Sequence, residues 1–272
     1  MKKAVIITIC QRKGGVGKST STLNIAYVLA EMGFNVLIID LDDQRNTTRS
    51  ISQIVTTDKT IEELILKDDV LLKDVTVKTD WKNVFILPSS SNLSGVVKYL
   101  DGEVGGHLIL KEKLEENDFF DFVLIDTSPS LNILVINALC ASDYMFIPLS
   151  SKYFSMQGLS QTMSSLKKIQ SRLNPDLKLL GIAFVCHDKR NVLANEVVDQ
   201  IKEKYESELF DSIIGINIKI EEAQVKKQSI LTYAPDDRGA LQYRELGAEI
   251  VERIKKGRAV PEKDKFMLSG GR

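Results

Sequence analysis

Apolar residues in this chain fall into short, nearly uninterrupted runs that alternate with longer amphipathic stretches. Runs rich in Val, Ile, Leu and Phe occupy residues 4–9, 35–40, 83–88, 119–126, 144–149 and 179–186. Such runs are typical of strands buried on both faces of a parallel sheet. The stretches between them, among them 18–32, 159–173 and 239–254, carry apolar residues at helical spacing. The alternation predicts an α/β fold, with a doubly wound, mostly parallel sheet and helices on both faces.

No linker, repeat or change of composition divides this pattern. We therefore expect one domain over residues 1–256, followed by a polar tail, 257–272, that frays. An apolar share of 43% in 272 residues is enough for a full core. The chain contains no apolar run of about 18 residues, so no transmembrane helix is expected. Because the first strand begins almost at the N-terminus, we expect no signal peptide and a cytoplasmic location.

Charge and cysteine content narrow the possible functions. Lys and Arg number 36 against 37 for Asp and Glu, which gives a net charge of −1. This balance argues against a globally basic nucleic-acid binder, so any DNA contact must come from a local patch or from dimerisation. Cys10, Cys140 and Cys186 are far apart and lack metal-ligand spacing. We expect all of them to be buried free thiols in a reducing compartment.

A glycine-rich segment joins the first predicted strand to the first predicted helix. It reads Lys13-Gly14-Gly15-Val16-Gly17-Lys18-Ser19-Thr20. Glycines allow backbone N–H groups to face an anion, and the helix N-terminus adds partial positive charge. In a phosphate-binding loop of this kind, Lys18 reaches the outer phosphates and Ser19 offers its hydroxyl to Mg²⁺. The segment therefore predicts a nucleotide site with a magnesium ion.

Acidic residues end two of the predicted strands. Asp40 ends the strand at 35–40, Asp42 follows two residues on, and Asp126 ends the strand at 119–126. In a doubly wound fold the carboxyl ends of the strands lie beside the phosphate loop. We expect Asp40 and Asp126 to approach Mg²⁺ through water, as a Walker B acid does. Asp42 is placed to orient or deprotonate an attacking water.

Three motifs in this order resemble the ParA/MinD class of P-loop ATPases. Lys13, before two glycines, is the signature lysine of its deviant Walker A loop. The segment from Asp40 to Asn46 resembles the family's Asp-x-Asp-Pro-Gln-Gly-Asn, although Asp43 stands for Pro and Arg45 for Gly. Segments 126–131 and 155–159 also follow the family, except that Ser128 replaces a usual Pro. Over residues 3–255 the chain resembles a small, Soj-like ParA partition ATPase.

This resemblance implies a mechanism. ATP and Mg²⁺ are the expected ligands, and Lys13 is expected to cross to the partner's nucleotide in an ATP-bound homodimer. Asp42 has the place of the family's hydrolytic aspartate. The family binds double-stranded DNA without sequence preference, at the nucleoid when ATP is bound. A centromere-binding ParB-type protein stimulates hydrolysis and releases the dimer.

The resemblance also suggests base and DNA contacts. Cys186 stands in the family's adenine-side triplet, and Pro235 with Asp236 corresponds to a wall of the adenine pocket. Arg190 and Lys219 match basic residues that relatives use for DNA. Lys226, Lys227, Lys255 and Lys256 are candidates to extend that surface.

Other members of the class remain alternatives. A MinD-like membrane-associated positioning ATPase ends in a basic amphipathic helix, whereas residues 261–272 offer one short apolar cluster and a proline. A nitrogenase iron protein needs paired cysteines that this chain does not supply. A small-molecule ligase would bind a small acid substrate. A nucleotide-gated positioning scaffold for another cargo stays open, because surface contacts determine the cargo.

Overall fold

The core of the molecule is a sheet, and the predicted apolar runs supply all but one of its strands in the described residues. The computed structural model describes residues 4–51, 59–115, 117–152 and 155–257. The predicted tail beyond Gly257 lies outside these residues. The strands are β1 Val5–Ile9, β2 Val36–Leu41, β3 Val77–Lys78, β4 Val84–Leu87, β5 Phe122–Thr127, β6 Tyr144–Leu149 and β7 Lys178–Phe184.

The strand order explains where ligands can bind. The seven strands lie in the order β3-β4-β2-β5-β1-β6-β7, and only β3 runs antiparallel to its neighbour. Strand β1 therefore lies between β5 and β6 and pairs with both in parallel. The strand order reverses at β1, because β2 and β5 lie on one side of it and β6 and β7 on the other. Such a reversal opens a crevice at the carboxyl ends of the strands. The doubly wound, mostly parallel sheet is thus confirmed.

Helices cover both faces of this sheet. They are α1 Lys18–Glu31, α2 Asn46–Arg49, α3 Ile61–Leu66, α4 Leu72–Val75, α5 Leu93–Gly102, α6 Ile109–Glu115, α7 Ile133–Ala141, α8 Ser155–Arg172, α9 Val192–Tyr205, α10 Ile218–Val225, α11 Ile230–Tyr233 and α12 Arg238–Gly257. Alternate residues of each strand point to opposite faces. Val36 and Ile38 of β2 join the cluster of α1 and α12, whereas Leu37 and Ile39 join that of α3, α5, α6 and α7. None of the helices within the described residues is long and apolar enough to cross a bilayer.

Helix α1 follows the phosphate loop and packs closely against neighbouring helices. It packs along α12, where a β-carbon on Gly247 would collide with Val28 Cγ1. The glycine thus permits a close approach that no other residue allows without displacement. The buried Asn24 of α1 accepts hydrogen bonds from the Ser229 hydroxyl and the Ile230 N–H, at 3.0 and 3.1 Å. These contacts hold the start of α11 against α1, the helix that follows the phosphate loop.

Candidate nucleotide and magnesium site

The phosphate loop has the backbone geometry that its sequence predicts. It connects Ile9, the end of β1, to Lys18, the first residue of α1. Gly15 and Gly17 have φ values of 68° and 76°, in the left-handed region that disfavours any side chain. A β-carbon on Gly14 or Gly15 would meet no atom within 4 Å, so the space in front of the loop is open. Lys18 is 7% exposed, which places its charge at the base of that space.

A cavity of about 530 Å³ opens on this loop. Its lining comes from the loop, the segment after β2, Pro129 and the end of α10. The lining residues are Gly14, Gly15, Gly17, Lys18, Ser19, Thr20, Asp42, Gln44, Asn46, Arg49, Ser50, Pro129, Gln224, Val225 and Lys227. Three of these carry positive charge and only Asp42 carries negative charge, so the cavity suits an anion.

The strand-end acids lie together beside the loop. Asp40 and Asp126 are paired in the register of β2 and β5, and both are fully buried. Asp42 is 6% exposed and lines the cavity. Two buried carboxyls on adjacent strands repel each other when ionised, so they require a compensating cation or a proton.

Asp126 has the surroundings of a group that faces a cation. Thr47 Oγ1 donates a hydrogen bond to Asp126 Oδ2 at 2.7 Å. Asp126 Oδ1 is buried and has no hydrogen-bond partner among the described residues. Burial raises the pKa of this carboxyl to about 6, although the nearby hydroxyls of Ser19 and Thr47 lower it. An acceptor-only oxygen near the Ser19 hydroxyl fits a Mg²⁺ ion held through water.

Asp40 is engaged by the segment that follows β2. Its Oδ2 accepts hydrogen bonds from the Thr48 N–H and hydroxyl at 2.8 and 2.7 Å, and its Oδ1 accepts one from the Asp42 N–H at 3.1 Å. Burial, together with the charge of Asp126, raises the pKa of Asp40 to about 7. The observed contacts make Asp40 an anchor for residues 42–48, and its approach to Mg²⁺ stays a prediction.

The loop that bears Asp42 has a defined shape despite its departures from the family pattern. Asp42 Oδ1 accepts a hydrogen bond from the Gln44 N–H at 3.0 Å, and the Ser89 hydroxyl donates to the Asp42 carbonyl at 2.8 Å. Arg45 has φ 54° and so adopts the left-handed conformation for which glycine is the usual residue. Asp43 is exposed. Burial raises the pKa of Asp42, which keeps this carboxyl closer to the range of a general base.

Lys13 lies outside the cavity of its own chain. It is half-buried and is not among the residues that line the cavity. Its Cβ is 3.7 Å from where a β-carbon on Gly158 would stand, so it lies against the first turns of α8. Gln11 packs at the same point, and its Oε1 accepts a hydrogen bond from Thr162 Oγ1 at 2.7 Å. The two lysines of the loop thus occupy different environments.

The predicted adenine contacts are separated from the cavity. Cys186, Pro235 and Asp236 are exposed, and none of them is among the cavity-lining residues. The expectation that every thiol is buried was wrong for Cys186. Strand β7 ends at Phe184 rather than at residue 186, and Cys186 follows it with φ 54°. Contact of these residues with the base stays a prediction.

The candidate DNA residues differ in their surroundings. Arg190, Lys219 and Lys256 each pair with an acid of their own segment: Asp188 at 3.0 Å, Glu222 at 2.9 Å and Glu252 at 2.8 Å respectively. Lys226 and Lys255 are exposed. Lys227 lines the nucleotide cavity instead. A role of this set in DNA binding stays a prediction.

Sequence reasoning missed part of the cavity lining. Gln44 and Asn46 lie within the acidic segment that resembles the family, so their place near the nucleotide could have been predicted from that resemblance. Arg49, Gln224 and Val225 gave no signal, because their approach to the loop depends on packing between distant elements. The hydrogen bond from Thr47 to Asp126 spans 79 residues and was likewise invisible in the sequence.

Comparison with known proteins agrees with this geometry. A family model described as an AAA domain matches residues 4–179. The chromosome-partitioning ATPase Soj of Treponema pallidum is 37% identical over 248 residues, which cover 91% of this chain and 97% of that protein. The chromosome partitioning protein ParA of Caulobacter vibrioides is 32% identical over 251 residues, 91% of this chain and 94% of that protein.

Solved structures show the same fold. Cobyrinic acid a,c-diamide synthase from Mycobacterium smegmatis, with bound ADP and magnesium, is 28% identical with a TM-score of 0.79 and covers 96% of this chain and 100% of that chain. A putative plasmid partition protein from Borrelia burgdorferi, bound to AMPPNP, is 25% identical with a TM-score of 0.76 and covers 94% of this chain and 100% of that chain.

The fold, the phosphate loop and the strand-end acids define a P-loop ATPase. The chain belongs to the ParA/Soj family of partitioning ATPases. The prediction of an ATP-hydrolysing enzyme is therefore confirmed, and ATP and Mg²⁺ are confirmed as the ligands that this class of structure binds.

Proposed function

We propose that this protein is a DNA partition ATPase, in which ATP binding drives a face-to-face homodimer that holds double-stranded DNA without sequence preference. A ParB-type centromere-binding partner stimulates hydrolysis and so releases the dimer from DNA. The observation that carries the proposal is the separation of the two loop lysines. Lys18 lines its own cavity, whereas Lys13 lies beside α8, outside it.

The chain's own residues can hold a nucleotide triphosphate. The amides of Gly14, Gly15 and Gly17 face the phosphates, and Lys18 neutralises their charge. We propose that the Ser19 hydroxyl and Oδ1 of Asp126 hold the magnesium shell, and the lack of a hydrogen-bond partner for Oδ1 supports this. Mg²⁺, when bound, neutralises charge that develops on the phosphate oxygens.

Asp42 is the group that positions the attacking water. It lines the cavity, and its Oδ1 is fixed by the Gln44 N–H. A carboxylate held in this way can accept a hydrogen bond from water and aim it at the terminal phosphate. Hydrolysis then ends the phosphate contacts that hold the two subunits together.

Lys13 of each subunit completes the site of the other. A lysine supplied in trans can neutralise developing charge, as an arginine finger does in other NTPases. Lys13 does not line the cavity of its own chain, which supports the proposal that dimerisation brings it to a phosphate of the partner's nucleotide. Formation of the dimer then depends on a bound nucleotide triphosphate.

Size-exclusion chromatography with ATP and Mg²⁺, followed by DNA binding, tests the proposal. Asp42→Ala should give a stable dimer that binds DNA, with hydrolysis lowered by about 10²–10⁴-fold, the usual contribution of a positioned base. The Lys18→Ala variant should not bind ATP and should therefore remain monomeric. Lys13→Ala should bind ATP yet remain monomeric.

Two results would contradict the proposal. One is hydrolysis by Asp42→Ala at the wild-type rate, and the other is an ATP-loaded dimer of Lys13→Ala. Lys226→Ala serves as the matched control, because this exposed lysine does not line the cavity and its removal should change neither the oligomer nor ATP binding.

A further inference from the structure

The end of α10 forms a wall of the nucleotide cavity that no motif accounts for. Gln224, Val225 and Lys227 line the cavity, together with residues of the segment after β2. Gln224 Nε2 donates a hydrogen bond to Thr20 Oγ1 at 2.5 Å, across 204 residues. This bond fastens the end of α10 to the first turn of α1.

Lys227 has a backbone conformation that is unusual for lysine. Its φ is 55°, in the left-handed region. The Lys227 N–H donates to the Gln224 carbonyl and the Gln228 N–H to the Ala223 carbonyl, both at 2.9 Å. These bonds form the C-terminal turn in which glycine is the usual residue at this position. A non-glycine residue is strained in this conformation, and such strain is commonly retained at functional sites.

The charges around Lys227 favour an anion. Within the described part of the chain, Lys227 makes no ion pair that would neutralise it. It shares the cavity with Lys18 and Arg49, against the single carboxylate of Asp42. Its neighbour Lys226 is equally exposed but does not line the cavity.

We propose that Lys227 is a nucleotide-binding residue, whose ammonium group closes the cavity over the phosphates of the bound nucleotide. The turn at the end of α10 and the bond from Gln224 to Thr20 hold it there. This inference rests on the proposed function of the cavity. It removes Lys227 from the DNA-binding set, and it explains why a strained lysine stands where glycine would fit without strain.

Titration with a fluorescent ATP analogue in Mg²⁺ tests the proposal on the full chain. Lys227→Gly should weaken binding about three- to tenfold, the effect of one partly exposed charge-assisted contact. The same variant relieves the backbone strain, so the nucleotide-free protein should melt about 2–4 °C higher. Lys227→Arg should bind nearly as wild type, since it keeps the charge, and Lys226→Gly should leave affinity unchanged.

The outcomes separate this inference from the proposed function. Wild-type affinity for ATP in Lys227→Gly overturns the inference, and so does a loss confined to DNA binding at saturating ATP. A loss of equal size in Lys226→Gly also overturns it, because that result indicates a general charge effect. If the wild-type protein itself does not bind ATP, the proposed function fails as well.

Discussion

The Thr47 hydroxyl donates to Asp126 Oδ2 at 2.7 Å and joins the segment after β2 to the acid at the end of β5. Both side chains are fully buried. The bond occupies one oxygen of Asp126 and leaves Oδ1 without a partner among the described residues. Oδ1 is therefore the oxygen of Asp126 that the proposed magnesium shell would use.

Thr47→Val tests this relationship, because valine keeps the shape of threonine and removes the donor. The Mg²⁺ concentration that half-saturates ATP binding should rise about 10- to 100-fold, as is usual when a metal-facing acid is deprived of its hydrogen-bond donor. Isothermal titration or analogue fluorescence at several Mg²⁺ concentrations measures this shift.

Thr79→Val is the control for that experiment. The buried Thr79 hydroxyl donates to the Val84 carbonyl at 2.8 Å, and Val84 begins β4, at the edge of the sheet opposite the strand-end acids. Its replacement should lower the melting temperature by a similar amount and leave the Mg²⁺ dependence near that of the wild type. Equal Mg²⁺ shifts in the two variants would show that Thr47 acts only through folding.

The buried acids make the stability of the nucleotide-free protein depend on pH. The pKa values of Asp126 and Asp40 are raised to about 6 and about 7 from an ordinary 3.8. The folded state therefore holds protons that the unfolded state releases. Their stabilising contribution is complete below about pH 4 and is lost as pH rises through 6 to 7.

Asp126→Asn isolates this effect, because asparagine can still accept the bond from Thr47 but does not ionise. Its melting temperature relative to the wild type should rise between pH 5 and pH 7.5, by several degrees at about 2–4 °C per kcal/mol. Differential scanning fluorimetry of both proteins without nucleotide measures the difference. A difference that does not change with pH would contradict the assignment.

Charge reversal tests the proposed DNA surface. Lys219→Glu and Arg190→Glu should each weaken binding to double-stranded DNA by the ATP-bound Asp42→Ala dimer. For every DNA phosphate that the variant no longer neutralises, the slope of log affinity against log salt should become shallower by about 0.9. Filter binding at several salt concentrations gives both quantities.

Lys67→Glu is a matched control, because Lys67 is also an exposed lysine paired with a nearby acid, Glu63. It directly follows α3, which packs in a different hydrophobic cluster from the α10 helix that carries Lys219. If both Lys219→Glu and Arg190→Glu left the DNA affinity and its salt slope unchanged, the proposed role of this surface in DNA binding would be contradicted.

The sequence was sufficient for the central strands and the phosphate loop because their determinants are local. A strand buried on both faces must be apolar throughout, as Val36 to Ile39 are. The loop needs glycine where φ is positive, as at Gly15 and Gly17. The two-residue strand β3, by contrast, is too short to show a pattern.

Residues that reach the site through packing escaped prediction. Gln224 contacts Thr20 across 204 residues, and no local pattern of α10 indicates that approach. The sequence indicates only that Lys227 is a surface lysine. Its position at the cavity depends on the turn at the end of α10, which the sequence does not reveal. Cys186 was placed in a strand because its run is apolar, yet the strand ends two residues earlier.

A crystal structure of Asp42→Ala with ATP and Mg²⁺ tests the account most directly. We predict a dimer in which Nζ of Lys18 and Nζ of the partner subunit's Lys13 both lie about 3 Å from oxygens of the same triphosphate. A structure in which Lys13 contacts the nucleotide of its own chain, or points into solvent with no second protomer near the γ-phosphate, would contradict it.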